Sequence, residues 1–171
     1  MSSEVSPKPS SEVVIRPIRG EDTEGAYLLR LQPGSLDFTL AFPSQRPEVT
    51  RRFIEDLGPN AHVFVAVVDG QVVGLADLHV GEGRRRHTAS LGMSVHDQFQ
   101  GRGIGRKLLA ALLDVADNYL GLTRVELEVL PDNARAIRLY ESMGFEHEGC
   151  KRKAIFRGGQ HWDGLMMGRL R

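Results

Sequence analysis

Seven residues past the middle of the chain, Gln100-Gly101-Arg102-Gly103-Ile104-Gly105-Arg106, limit the fold more than any other stretch. An apolar run from Ala89 to Val95 precedes them. Ile104, Leu108, Leu109, Leu112, Leu113, Ala116 and Tyr119 follow, one stripe at helical spacing. The pattern is strand, glycine-rich turn, helix. Such a turn leaves the first N–H groups of the helix uncovered, and the helix dipole adds positive potential at the same end. The place suits a phosphate or pyrophosphate. Arg102 and Arg106 add cations beside it.

Two common anion loops fail on spacing. A P-loop needs Lys-Ser/Thr after its glycines, whereas Gly105 is followed by Arg106-Lys107-Leu108. A dinucleotide fingerprint needs Gly-x-Gly-x-x-Gly early in a domain, and these glycines fall at 101, 103 and 105. What remains is Gln/Arg-x-x-Gly-x-Gly/Ala, with Gln100, Gly103 and Gly105 in its fixed places. A second motif lies at 132 to 145, Asp-Asn-Ala-Arg-Ala-Ile-Arg-Leu-Tyr-Glu-Ser-Met-Gly-Phe. Asp132 or Asn133 is a good N-cap after Pro131, Gly144 a good left-handed stop, and Ala136, Ile137, Tyr140 and Met143 share a helix face.

With these two motifs in this order, the sequence resembles the GCN5-related N-acetyltransferases (GNAT). The resemblance implies the GNAT fold: a mixed α/β (α+β) layer with a central twisted, mostly antiparallel sheet, its fourth and fifth strands splayed and helices on its flanks. It also implies acetyl-CoA as acetyl donor, with no metal. Gly101, Arg102, Gly103, Ile104, Gly105 and Arg106, with Gln100, would hold the pyrophosphate. The backbone of Met93, Ser94 and Val95 would hold the pantetheine arm, and Asn133 and Tyr140 would complete the cofactor site. Gly92, a glycine inside a strand, marks a bulge or a close approach at the splay.

Acetyl transfer from a thioester to an amine needs a neutral amine, a polarised carbonyl and a proton for the thiolate. Tyr140 has the family's position for the proton donor, and a phenol suits that task. The Met93 N–H could steady the carbonyl oxygen. For the base three residues stay open: His79, first among them because imidazole titrates near neutrality, then Glu126 acting through water, and His87.

Weaker signals resemble one branch, the bacterial L-amino-acid N-acetyltransferases: Gln32-Pro33, Thr39-Leu40, Arg84-Arg85-Arg86-His87 and Glu148-Gly149-Cys150-Lys151-Arg152-Lys153. The stretch 31 to 47 reads as irregular after the Pro33-Gly34 break, and there the family shapes its acceptor pocket. Phe38, Thr39 and Leu40, with Leu36 and Phe42 nearby, suit an apolar acceptor better than a polycation. A protein N-terminus or lysine remains the alternative acceptor, and a non-catalytic acyl-CoA-binding module a third reading.

The remaining pattern supplies a first strand at 13 to 18 and helices at 22 to 31 and 48 to 57. An Asp69-Gly70 hairpin joins 62–68 to 71–80, and strands follow at 86–95, 124–129, 149–156 and 162–170. A polar Ser/Pro-rich start, 1 to 11, reads as a disordered tail before a single domain, 12 to 171. With 22 basic and 22 acidic residues the formal charge is zero, against the basic excess of a nucleic-acid binder. One cysteine, Cys150, forbids an intrachain disulfide and fits a reducing, cytoplasmic setting. Neither a membrane-length apolar run nor a signal-peptide core is present, so no membrane partner is expected. A homodimer is compatible with these features.

Overall fold

A computed structural model describes residues 12–171; the expected tail, 1 to 11, lies outside them. Strands β1 (Val14–Pro17), β2 (Ala61–Val68), β3 (Gln71–Val80), β4 (Thr88–Val95), β5 (Arg124–Val129), β6 (Glu146–Arg157) and β7 (Gln160–Leu170) form one sheet in the order β1-β2-β3-β4-β5-β7-β6. All neighbours pair antiparallel except β4 and β5. Helices α1 (Thr23–Arg30), α2 (Pro33–Phe38) and α3 (Pro47–Glu55) precede the sheet's central strands, α4 (Ile104–Asp114) joins β4 to β5, and α5 (Ala134–Ser142) joins β5 to β6.

The expected hairpin is present. Asp69 and Gly70 both take positive φ, 48° and 79°, as a tight two-residue turn between twisted strands requires. The main core lies between the sheet and α4, where Ile104, Leu108, Leu109 and Leu112 are buried against Ala66, Val73 and Leu78. Gly74 is small because a Cβ there would come within 2.8 Å of Leu108.

Two expectations need correction, and the alternatives left for Gly92 are decided. The stretch after Pro33-Gly34 is not irregular throughout, since Pro33–Phe38 is helical. Proline is the first residue of this helix, where its missing N–H is unneeded. Tyr119 does not continue the apolar stripe. Val115–Tyr119 is a π-turn, whose wider winding changes the phase, and Tyr119 is 79% exposed. Gly92 is no bulge, because β3 and β4 stay in register from Gly74↔Val95 to Val80↔Ala89. It marks a close approach: a Cβ on Gly92 would lie 3.1 Å from both carboxylate oxygens of Asp77.

Near the chain's start, Asp22 is buried under Arg16, which donates two hydrogen bonds to it at 2.7 and 2.8 Å, with a third from the Arg19 N–H at 2.8 Å. Chiefly through the Arg16 bonds, this carboxyl titrates below its ordinary range. An unfolded Asp titrates near ~3.9, so the clasp stabilises fully above that pH and its contribution is lost as pH falls through the lowered folded value. In chemical-denaturation curves, the stability advantage of the native chain over Asp22→Asn should be large at pH 7. It should shrink steadily in acid below about pH 4.

Candidate active site

The parallel pairing of β4 and β5 ends early. Thr88↔Arg124, Ala89↔Val125 and Ser90↔Glu126 are in register, and beyond them the strands part. Two bonds at the ends of β4 fix which backbone groups face the gap. The Gly81 N–H donates to the Thr88 carbonyl at 2.9 Å, and the His96 N–H donates to the Val73 carbonyl at 2.8 Å, both toward β3. Strand backbone alternates with period two, so the polar groups of Leu91, Met93 and Val95 point the other way, into the gap. The Val95 carbonyl already accepts from the Gln100 side-chain amide at 3.1 Å. Ser94 points its backbone at β3, and its hydroxyl shares a 2.6 Å hydrogen bond with Ser35 of α2.

At one end of the gap stands the glycine loop. Gly101 and Gly103 take φ of 75° and 79°, the left-handed region, with nothing within 4 Å of a notional Cβ. Here glycine supplies conformation. Gly103 is the N-cap of α4, so the uncovered N–H groups of that helix open beside it. Gly105 serves packing instead, as a Cβ there would lie 3.1 Å from Leu139 of α5. Gln100 also accepts a short bond from Arg135. Arg106 is tied to Ser142 at 2.8 Å, whereas Arg102 lies over the Phe99 ring at 4.9 Å.

From the helix side of the sheet comes α5. Asn133 caps it, accepting from the Ala136 N–H at 3.3 Å. Tyr140, 6% exposed, packs against Phe145 with ring centroids 5.7 Å apart. Burial, with the negative charge of Asp77 added, pushes its phenol up to about 12. On the opposite side α2 is pinned by the Ser35–Ser94 bond and by the Gly34 N–H, which donates to Asp97 at 3.0 Å. Asp97 leaves no room for a side chain at residue 34.

A cleft of about 1460 Å³ runs through this arrangement. Its walls bring together Met93, Ser94, Val95, Gln100, Gly101, Gly103, Ile104, Gly105, Arg106, Asn133 and Tyr140 with Phe38, Thr39 and Leu40. Arg102 and His79 are not on the wall. His79 stands behind Asp77, Nε2 to Oδ1 3.2 Å, and stacks near Phe53 of α3 at 6.3 Å. Glu126 is on the wall and is held by Arg124 at 2.8 Å; His87 precedes β4 and is not. Arg84 and Arg85 form an exposed 3-10 turn away from the cleft.

Sequence reasoning missed Asp77. In the chain it is one polar residue in a strand, and only the register with Gly92 puts it at the gap. It also missed Arg157 at the end of β6. This guanidinium donates to Asp132 at 2.6 Å and to the Asp37 carbonyl at 3.2 Å, and it lies 5.5 Å from the Phe38 ring centre and 4.1 Å from that of Trp162. Asp37 belongs to α2 on the β4 side and Asp132 follows β5, so Arg157 spans the two sides of the gap.

Residues 31–145 match the model of the acetyltransferase (GNAT) family. The chain is 34% identical over 162 residues to the L-amino acid N-acetyltransferase AaaT of Escherichia coli strain K12, covering 94% of this chain and 99% of that one. Among solved structures it is similar to an acetyltransferase of the GNAT family from Streptococcus pneumoniae, with TM-score 0.82, 25% identity and coverage of 94% and 100%. It is also similar to a ribosomal-protein-alanine N-acetyltransferase from Brucella melitensis, with TM-score 0.80, 26% identity and coverage of 92% and 99%.

Proposed function

Because the chain belongs to the GNAT family of acetyltransferases, we propose that it transfers acetyl from acetyl-CoA to the α-amine of small, apolar L-amino acids. The observation that carries this reading is the cleft itself. An anion-ready glycine loop stands at one end, an unpaired strand edge runs along it, and apolar α2 residues lie across from them. Acetyl-CoA supplies the activated acetyl group as a thioester. The N–H groups of the Gly101–Arg106 loop suit its pyrophosphate, and the gap-facing backbone of Met93 and the Val95 N–H suit the amides of the pantetheine arm. The Met93 N–H, which faces the gap, polarises the acetyl carbonyl in this reading. Tyr140 donates a proton to the departing thiolate. Cys150, exposed and unbridged, supports a cytoplasmic setting.

The acceptor end favours a small amine. Phe38 and Leu40 line it, and Leu40 is 79% exposed, free to cover an apolar side chain. Arg157 straps α2 to the β5–α5 loop across the gap, which restricts a long peptide. A peptide N-terminus also presents an α-amine, and the likeness to a ribosomal-protein-alanine N-acetyltransferase keeps it as the second reading. The direct test is thiol release from acetyl-CoA against amino acids, polyamines and peptides. Apolar amino acids should give the highest kcat/KM, with several accepted, because one methylene discriminates only about 10- to 200-fold. Better turnover of polyamines or lysine-rich peptides would refute the acceptor assignment and leave the acetyltransferase intact.

Leu40→Ala carries a narrower expectation. Loss of about 1 kcal/mol of apolar contact should raise the acceptor KM roughly fivefold, with acetyl-CoA affinity unchanged. Paired KM measurements for both substrates check it, and Phe38→Ala should act in the same direction.

A further inference from the structure

Four carboxylates line the cleft: Asp77, Glu126, Glu128 and Asp132. Three are each held by a permanent or strongly basic cation, Glu126 by Arg124 at 2.8 Å, Glu128 by Lys151 at 3.0 Å and Asp132 by Arg157 at 2.6 Å. Asp77 pairs instead with an imidazole, His79, at 3.2 Å. A guanidinium or ammonium partner has no site for a further proton, whereas a neutral imidazole can take one from its carboxylate and hand it on.

The placement is as specific as the pairing. The Asp77 carboxylate occupies the space that a side chain at Gly92 would fill, and Gly92 immediately precedes Met93, whose N–H faces the gap. Asp77 enters from the α2 face, and Tyr140 comes from α5 near enough to feel its charge. His79 lies outward, with 43% of its side chain exposed against 23% for Asp77. The Asp77–His79 pair therefore leads from the cleft wall, which Tyr140 shares, outward to solvent.

We propose that Asp77 is the catalytic residue that accepts a proton from the acceptor amine, and that His79 is a positioning and relay residue that passes it to solvent. This rests on the amine-acetylating reading above. An ammonium acceptor gives up two protons as its nitrogen pair forms the C–N bond and the C–S bond breaks, leaving its electron pair on sulfur. One proton leaves by Asp77 and His79. Tyr140 gives its own proton to the thiolate, and the second amine proton restores the phenol by way of Asp77.

His79 relays only when neutral. Its bond to Asp77 holds its pKa above the usual 6.5, so turnover should rise with pH along a limb lying above that value. The charged or titratable groups nearby are Asp77 itself, Glu126 on β5, Tyr140 on α5 and Arg30 on α1, whose guanidinium lies 5.5 Å over the Phe53 ring beside His79.

Three variants test the assignment. Asp77→Asn should lower acceptor kcat/KM by about 10²-fold or more, with the acetyl-CoA Kd within about twofold. His79→Gln should lower it about tenfold and replace the wild-type limb with one that follows the titration of the acceptor amine and moves when the acceptor is changed. Gly92→Ala, which pushes the carboxylate aside without altering its chemistry, should reduce kcat more than it raises KM. Independently of turnover, the His79 imidazole followed by NMR should titrate at lower pH in Asp77→Asn than in the wild type. Wild-type kcat/KM in Asp77→Asn, an intact limb in His79→Gln, or an unmoved His79 titration would each overturn the proposal. If the wild type prefers another class of amine, the acceptor assignment falls instead, and the same comparisons on that amine decide the proton path.

Discussion

Tyr140→Phe should cut turnover by about 10²-fold or more with the melting temperature nearly unchanged. The ring and its packing on Phe145 survive the change, so the fold loses little. What disappears is the O–H. Burial near Asp77 puts this phenol at about 12, so it stays protonated throughout the working range. An ordinary thiol titrates near ~8.5, so complete transfer from such a phenol is uphill by several kcal/mol. Tyr140 therefore steadies the thiolate by hydrogen bonding and yields its proton only as another arrives. No basic limb owing to Tyr140 should appear in the pH–rate profile below about pH 10. Thiol-release rates and thermal melts of the two proteins check this, and equal turnover would mean that water protonates the thiolate.

Gly103→Val should weaken acetyl-CoA binding by about 30-fold or more. The cause differs from simple crowding, since nothing lies within 4 Å of a notional Cβ on Gly103 in the protein alone. With φ of 79°, a β-branched residue there costs about 1–2 kcal/mol, which the loop relieves by turning its N–H groups away from the anion. Gly103 also lines the cleft, so a side chain that does keep the turn takes room from the proposed cofactor site. Both effects lower affinity. Calorimetric titration with acetyl-CoA and with CoA should show the loss for both ligands, because the pyrophosphate is common to them. Unchanged affinity would show that the loop does not hold it.

The parts of the site that are local in sequence were legible there. Gln100 to Arg106 announces its turn through glycines that need positive φ, and Asn133, Tyr140 and Gly144 announce α5 through cap, stripe and stop. The parts that depend on register were not. Asp77 comes against Gly92 only after β3 and β4 have paired. Helix α2 was hidden for another reason. Pro33-Gly34 reads as a break, yet proline begins this helix and glycine is required by the Asp97 carboxylate beside it. The strand expected at 149–156 is present within β6, but its two slips of register against β7 and the positive φ of Lys153, 53°, left no mark in the sequence.

On the proposed acceptor assignment, Arg157 would act on selectivity from a distance, through its bonds to Asp37 and Asp132. One side chain at the tip of the C-terminal hairpin touches α2, the β5–α5 loop and Trp162 at once. Lysine cannot replace it, having neither the flat face for two rings nor the fork for a carboxylate. The two sides of the gap are thus bridged from a hairpin distant in sequence from the glycine loop. Changes in the Gly158-Gly159 turn would reach the proposed acceptor end through this one guanidinium. Such a division lets a lineage try new amines by drift in a surface turn, while the machinery that grips the donor stays as it was.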